Sequence, residues 1–140
     1  MPIISRKKNF FLGAFFLLGF IFSYNFHLVK IRDNYFLAER AFNPQKREKG
    51  LGGRKKIFSW NAMIFEFQEK NKFSFWMKGM LFDLDILWIS DGKIVAISKN
   101  IPSDFSQNIV PDVPVDKVLE IKAGACDREG IELGDEVKIF

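Results

Sequence analysis

One cysteine and one histidine stand in 140 residues. A lone Cys126 cannot close an intramolecular disulfide, and without a Cys/His cluster no structural zinc site can form, so the fold must hold by burial alone. The same scarcity removes most nucleophilic chemistry. The only base for Cys126 would be His27, which falls at the end of an apolar N-terminal stretch, and no acyl-transfer triad can be assembled. Internal repeats and low-complexity tracts are absent too. With 5 Pro against 48% hydrophobic residues and 17 Phe, the chain is neither disordered nor collagen-like. Its length suits one ordinary domain and no second core.

Charge of one sign is also scarce once the N-terminus is set aside. Arg6, Lys7, Lys8 and Lys30 carry the whole net charge of +4, while residues 31–140 hold 17 basic and 17 acidic side chains. A nucleic-acid binder needs a basic surface on its folded part, so nucleic acid is not an expected partner. A gradient remains inside the domain, with 11 basic and 5 acidic residues over 31–78, then 6 and 12 over 79–140. The densest cluster, Lys46, Arg47, Lys49, Arg54, Lys55 and Lys56, reads either as a solvated surface or as a patch for anionic lipid head groups.

What the chain does have is one long apolar run. Phe10–Phe22 is 13 residues of apolar side chains and Gly, and Tyr24, Phe26, Leu28 and Val29 extend it to about 20 residues, or about 30 Å as a helix. A basic segment precedes it, so a signal peptide and a signal anchor both fit. Phe22-Ser23-Tyr24-Asn25 lacks the small residues that a cleavage site prefers, which favours an uncleaved anchor. Residues 1–29 are therefore expected to be a signal anchor, with a transmembrane helix over 10–29 and the domain 30–140 extracytoplasmic, because long C-terminal domains translocate largely regardless of charge.

Short aromatic and β-branched runs dominate the rest. Tyr35–Ala38 reads as a first strand, and Asn43-Pro44 as an N-cap opening a short helix that ends at Gly50–Gly53. Met63–Phe67 and Phe73–Met77, separated by polar residues, predict a hairpin. Leu84–Ile89 is apolar at both parities, hence a central strand covered on both faces. Asp91-Gly92 predicts a two-residue turn into Lys93–Ile97. Pro102–Pro114 reads as a long surface loop, Val118–Ile121 as a strand, Ala123–Gly130 as a helical turn and Glu136–Phe140 as a last strand. The fold class is mainly β (α+β): a small twisted antiparallel sheet or open barrel of about seven strands with one or two short helices.

Several of these stretches, in this order and spacing, resemble the prokaryotic domain of unknown function 192 family. They are Lys49-Gly50-Leu51 with Arg54, Met63-Ile64-Phe65 with Phe67, Phe75-Trp76-Met77-Lys78, Leu84-Asp85-Ile86, Gly92-Lys93-Ile94-Val95, Leu119-Glu120 with Ala123-Gly124, and Gly130-Ile131 with Gly134-Asp135. The resemblance covers residues 34–140. It implies a compact β-rich domain, often behind an export signal or anchor, with no established reaction, substrate or cofactor. Gly52, Gly79-Met80 and Asp83 depart from the family's usual side chains.

Asp85 is the most informative single residue, a carboxylate in a strand expected to be buried on both faces, where it needs partners. Lys78 and Arg54 are candidates. Two arrangements fit: a small polar pocket walled by Phe75, Trp76 and Trp88 for a ligand carrying a carboxylate or sugar hydroxyls, or a closed brace that fixes the barrel's register. Met63, Met77, Met80 and Cys126 have soft-metal chemistry but no recognised metal spacing, and are expected to fill the core. Asp85 with Glu120 or Asp83 would be the only carboxylate pairs for glycoside hydrolysis, and nothing in the sequence faces them across a cleft. Gly50–Gly53 follows a helix instead of opening one, so it is a helix stop and not a phosphate cradle. The sequence thus predicts a membrane-anchored binding or accessory module, with ligand site Arg54, Trp76, Lys78 and Asp85, no cofactor or metal and no identified catalytic residue. The alternative is a structural module that contacts an envelope protein.

Overall fold

The computed structural model describes residues 19–21 and 24–140. Seven strands form one sheet: β1 (Phe26–Ile31), β2 (Asn34–Arg40), β3 (Asn61–Asn71), β4 (Leu84–Ser90), β5 (Lys93–Ile101), β6 (Val115–Lys122) and β7 (Val137–Ile139), in the order β5-β4-β6-β3-β2-β1-β7. Two short helices, α1 (Pro44–Lys49) and α2 (Ala125–Arg128), lie between strands. The sheet curls until its two edges meet at one end. There Lys93 of β5 bridges Glu136, and Val137 N–H donates to Gly92 O at 2.8 Å. The result is a half-barrel, closed where β5 touches β7 and open elsewhere. Pairing is antiparallel throughout except for β2 and β3, which run parallel because α1 and a long connection carry the chain over between them.

The curl gives the sheet two apolar faces. Inside lie Val29, Ile31, Phe36, Ile64, Leu87, Ile89, Leu119 and Ile121, sealed by Ala125 and Cys126 of α2. Outside, Met63, Phe65, Ile86, Trp88 and Val118 are covered by Leu51, Ile57, Met77 and Met80 from the connections that follow β2 and β3. β4, buried along Leu84–Ile89, separates the two layers, as its apolar residues at both parities predict.

Several expectations hold in detail. Asn43 Oδ1 accepts from Lys46 N–H at 2.8 Å, Pro44 opens α1 and Gly50 ends it at φ 53°. Asp91 and Gly92, both at positive φ, turn β4 into β5. Two others are corrected. Phe73–Met77 does not pair with β3 as a hairpin. It alternates inward and outward like a strand, but it crosses the outer face as a cover, and among the described residues its one β-bridge is Phe75–Ile109. Its rings explain why: Phe73 stacks on Phe67, and Phe75 packs edge-on against Phe65 and Trp88. At the other end, Phe26–Val29 belongs to β1 and not to a transmembrane helix, and Val29 is fully buried in the inner layer. No helix among the described residues is long and apolar enough to cross a membrane, and most of the expected span lies outside the described residues. His27 sits within β1, its Nε2 3.4 Å from Glu66 Oε2, instead of at a membrane boundary.

Candidate functional site

Strand parity separates the four residues singled out by sequence. Asp85 projects to the inner face with Leu87 and Ile89, away from Trp76, Lys78 and Arg54 on the outer side. Its carboxylate is fully buried and held by two backbone N–H groups and the Cys126 thiol: Oδ1 accepts from Asn100 N–H at 2.8 Å and Oδ2 from Cys126 N–H at 2.9 Å. Asn100, at φ 51°, lies where β5 slips register against β4, so Asp85 fastens a bulge and the start of α2 together. The arrangement is a hydrogen-bonded brace with no direct ion pair, on which Lys99 acts through its charge. Cys126 beside it is buried, and burial together with the Asp85 carboxylate pushes its thiol up to about 12, far from a reactive thiolate.

The outer face carries a second buried carboxyl. Glu120 of β6 stands opposite Met63 and Ile86, is 4% exposed, and its Oε2 has no hydrogen-bond partner. Burial raises its pKa to about 8, with the Leu51 N–H and the Arg54 charge offsetting only part of the effect, so the group is mainly protonated at neutral pH. Glu120 bounds a cleft of about 230 Å³ between α1 with its glycine turn and the Phe73–Met80 cover. The walls are Phe65, Phe67, Phe73, Phe75, Trp76 and Met80.

Glycine makes this geometry possible at two positions. A Cβ at Gly50 would come 3.3 Å from Glu120 Oε2, and one at Gly52 would press to 2.8 Å on Lys49 O. The turn after α1 therefore lies directly on the carboxyl and on the cover, where Gly53 N–H donates to Gly79 O at 2.8 Å. Gly50–Gly53 stops the helix, as expected, and also forms one wall of the cleft.

Of the remaining predicted site residues, Trp76 lines the mouth, 46% exposed, with its indole N–H donated to Glu48 O at 3.2 Å. Lys78 lies on an adjoining shallow recess that shares Glu48, Lys49 and Trp76 with the cleft. Arg54 is turned to Glu39, 2.6 Å away. Burial raises the Glu39 carboxyl, and hydrogen bonds from Lys46 and Arg54 outweigh that and hold it below its ordinary value. Arg47 donates to the carbonyls of Ala41 and Glu66 and lies over the Phe67 ring, so its head is also engaged. Lys49 and Lys78 make no ion pair among the described residues. Met63, Met77 and Met80 are buried in the outer layer as packing.

A curled, mainly β sheet with a loop-covered outer face and a buried carboxyl beneath the cover defines the class of domain. Residues 27–139 match DUF192, described as "Uncharacterized ACR, COG1430", and the chain belongs to that family. A crystal structure from Sinorhizobium meliloti 1021, of a candidate transcription regulator, is 32% identical with a TM-score of 0.79, over 81% of this chain and 93% of that one. A protein of unknown function from Novosphingobium aromaticivorans DSM 12444 is 28% identical with a TM-score of 0.75, over 81% and 83%. No curated protein matches.

Proposed function

We propose that this is a binding module whose ligand enters the outer cleft and hydrogen-bonds Glu120, and that residues ahead of β1 tether it to a membrane with the domain extracytoplasmic. The observation that supports the binding reading is the orphaned Oε2 of Glu120. A buried polar atom without a partner costs about 1–3 kcal/mol, and a ligand that completes its hydrogen bonding recovers that cost on binding. Trp76 lines this site, Lys78 lies in the recess beside it, Arg54 acts on it only through its charge, and Asp85 is on the other face of the sheet. The tether rests on Phe10–Phe22 and the basic residues before it. The regulator role named for the Sinorhizobium protein is not carried over, because residues 31–140 are charge-balanced.

A second reading, an interaction module for an envelope protein, draws on Phe58 and Trp60. These rings stack 4.7 Å apart and are 51% and 53% exposed beside Lys55 and Lys56. A thermal-shift screen of the full chain against small organic acids, alcohols and sugars separates the two. Stabilisation by a compound in the parent, absent in Glu120→Leu, supports the cleft. No stabilisation by any compound, with capture of an envelope protein lost in Phe58→Ala/Trp60→Ala, would favour the second.

A further inference from the structure

Resting on the binding reading, we propose that the cleft takes a single-ring carboxylate carrying an uncharged hydrogen-bonding group at its far end. The far group meets Glu120, the ring lies among the Phe and Trp walls, and the carboxylate meets Lys49 and Lys78 at the mouth.

Four features of the cleft converge on this class. The floor offers one hydrogen-bonding group, Glu120 Oε2, and it is out of reach of solvent. To a mainly aromatic lining the walls add the Ser74 hydroxyl and the charged Arg47, Glu48 and Lys49. The Trp76 indole N–H is already donated to Glu48 O and the Arg47 head is held by two carbonyls, which leaves apolar ring surface suited to a flat body. Lys49 at the mouth and Lys78 in the adjoining recess make no ion pair among the described residues, and Glu48 is the acidic side chain that lines both. The volume of about 230 Å³ lies below the range of drug-sized pockets, which suits one ring and not a nucleotide or an oligosaccharide.

The sign of the charge follows from the same geometry. A cationic ligand would meet Lys49 and Lys78 on entry and would have to ionise Glu120 at the floor, releasing a proton. An anion with a neutral head requires neither. The protonated carboxyl is both donor and acceptor, so a hydroxyl on the ligand can accept one hydrogen bond and return another.

Calorimetric titration of the full chain with 4-hydroxybenzoate, phenol and tyramine at about pH 6.5 tests the proposal. The expected order is 4-hydroxybenzoate about tenfold tighter than phenol, with tyramine weakest and no proton taken up or released with the first two. In Lys49→Gln/Lys78→Gln the carboxylate's advantage disappears while phenol affinity stays, in Glu120→Leu both weaken, and Glu120→Gln retains binding because its amide NH2 still donates to the ligand while its oxygen accepts from Leu51 N–H. Tightest binding by tyramine with proton release overturns the proposal but keeps the cleft as a binding site. So does Glu120-dependent binding of glucose or galactose with none of 4-hydroxybenzoate. If no probe binds at millimolar concentration and Glu120→Leu only raises the Tm, both this proposal and the binding reading fall.

Discussion

Two buried carboxyls one β-strand apart do opposite things. Asp85 has its oxygens satisfied by two backbone N–H groups, and Glu120 has one oxygen left over. Removing Asp85 strands the buried Cys126 N–H and the part-buried Asn100 N–H, so Asp85→Ala should lower the unfolding free energy by about 2–3 kcal/mol in urea titrations. Glu120 responds to pH in a direction that can be worked out. Its pKa is near 4.5 unfolded and about 8 folded. Between those values the folded chain holds a proton that the unfolded chain has lost, so stability falls as pH rises across this window, by at most about 1.4 kcal/mol per unit, and levels off above it. Glu120→Gln removes the slope. Its stability relative to the parent should therefore grow by a few kcal/mol between about pH 5 and pH 8 in parallel urea series. The sequence singled out Asp85 and passed over Glu120, although Leu119-Glu120-Ile121 carries the same signal as Leu84-Asp85-Ile86. Which of the two faces a cleft depends on the side of the sheet the long connections cover, which no local pattern reports.

Among the elements, α1 and its glycine turn were the most legible, since cap, Pro and stop are local chemistry. Their role against Glu120 was hidden, because it needs a partner about 70 residues away in sequence. Gly50→Ala puts a methyl 3.3 Å from Oε2 on a backbone at φ 53°. It should cost about 1–2 kcal/mol in thermal or urea unfolding and weaken any ligand that reaches Glu120. Two misreadings also have physical causes. Phe73–Met77 has the alternation of a strand because one side faces the core, but alternation reports burial and not hydrogen-bonded pairing. β1 was absorbed into the apolar run before it, although Val29 and Ile31 inward against Leu28 and Lys30 outward is a strand pattern. A preceding hydrophobic stretch swamps that period.

At the scale of the molecule, the mainly β class and the near-barrel shape were readable, whereas the count of seven strands agrees only because the missed β1 offsets the mistaken strand at Phe73–Met77, and the parallel β2–β3 pair and the meeting of β5 with β7 were not readable, being facts of topology. That meeting carries much of the closure. Truncation after Asp135 removes β7 and with it the partner of β1 and the bridge at Lys93. The expected result is loss of a cooperative thermal transition by circular dichroism, with strand signal partly retained. The proposed tether is checked by fractionating cells that express the full chain: recovery in the membrane pellet, resistant to alkaline carbonate, is expected, and recovery in the soluble fraction would sink it.

The pairing of β1 with β7 also sets a timetable. The strand made first stays without one of its two neighbours until the last is made, so a growing polypeptide on the ribosome cannot finish the sheet however early its central strands assemble. Closure of this domain therefore waits on its last strand, whatever the order in which the central strands assemble.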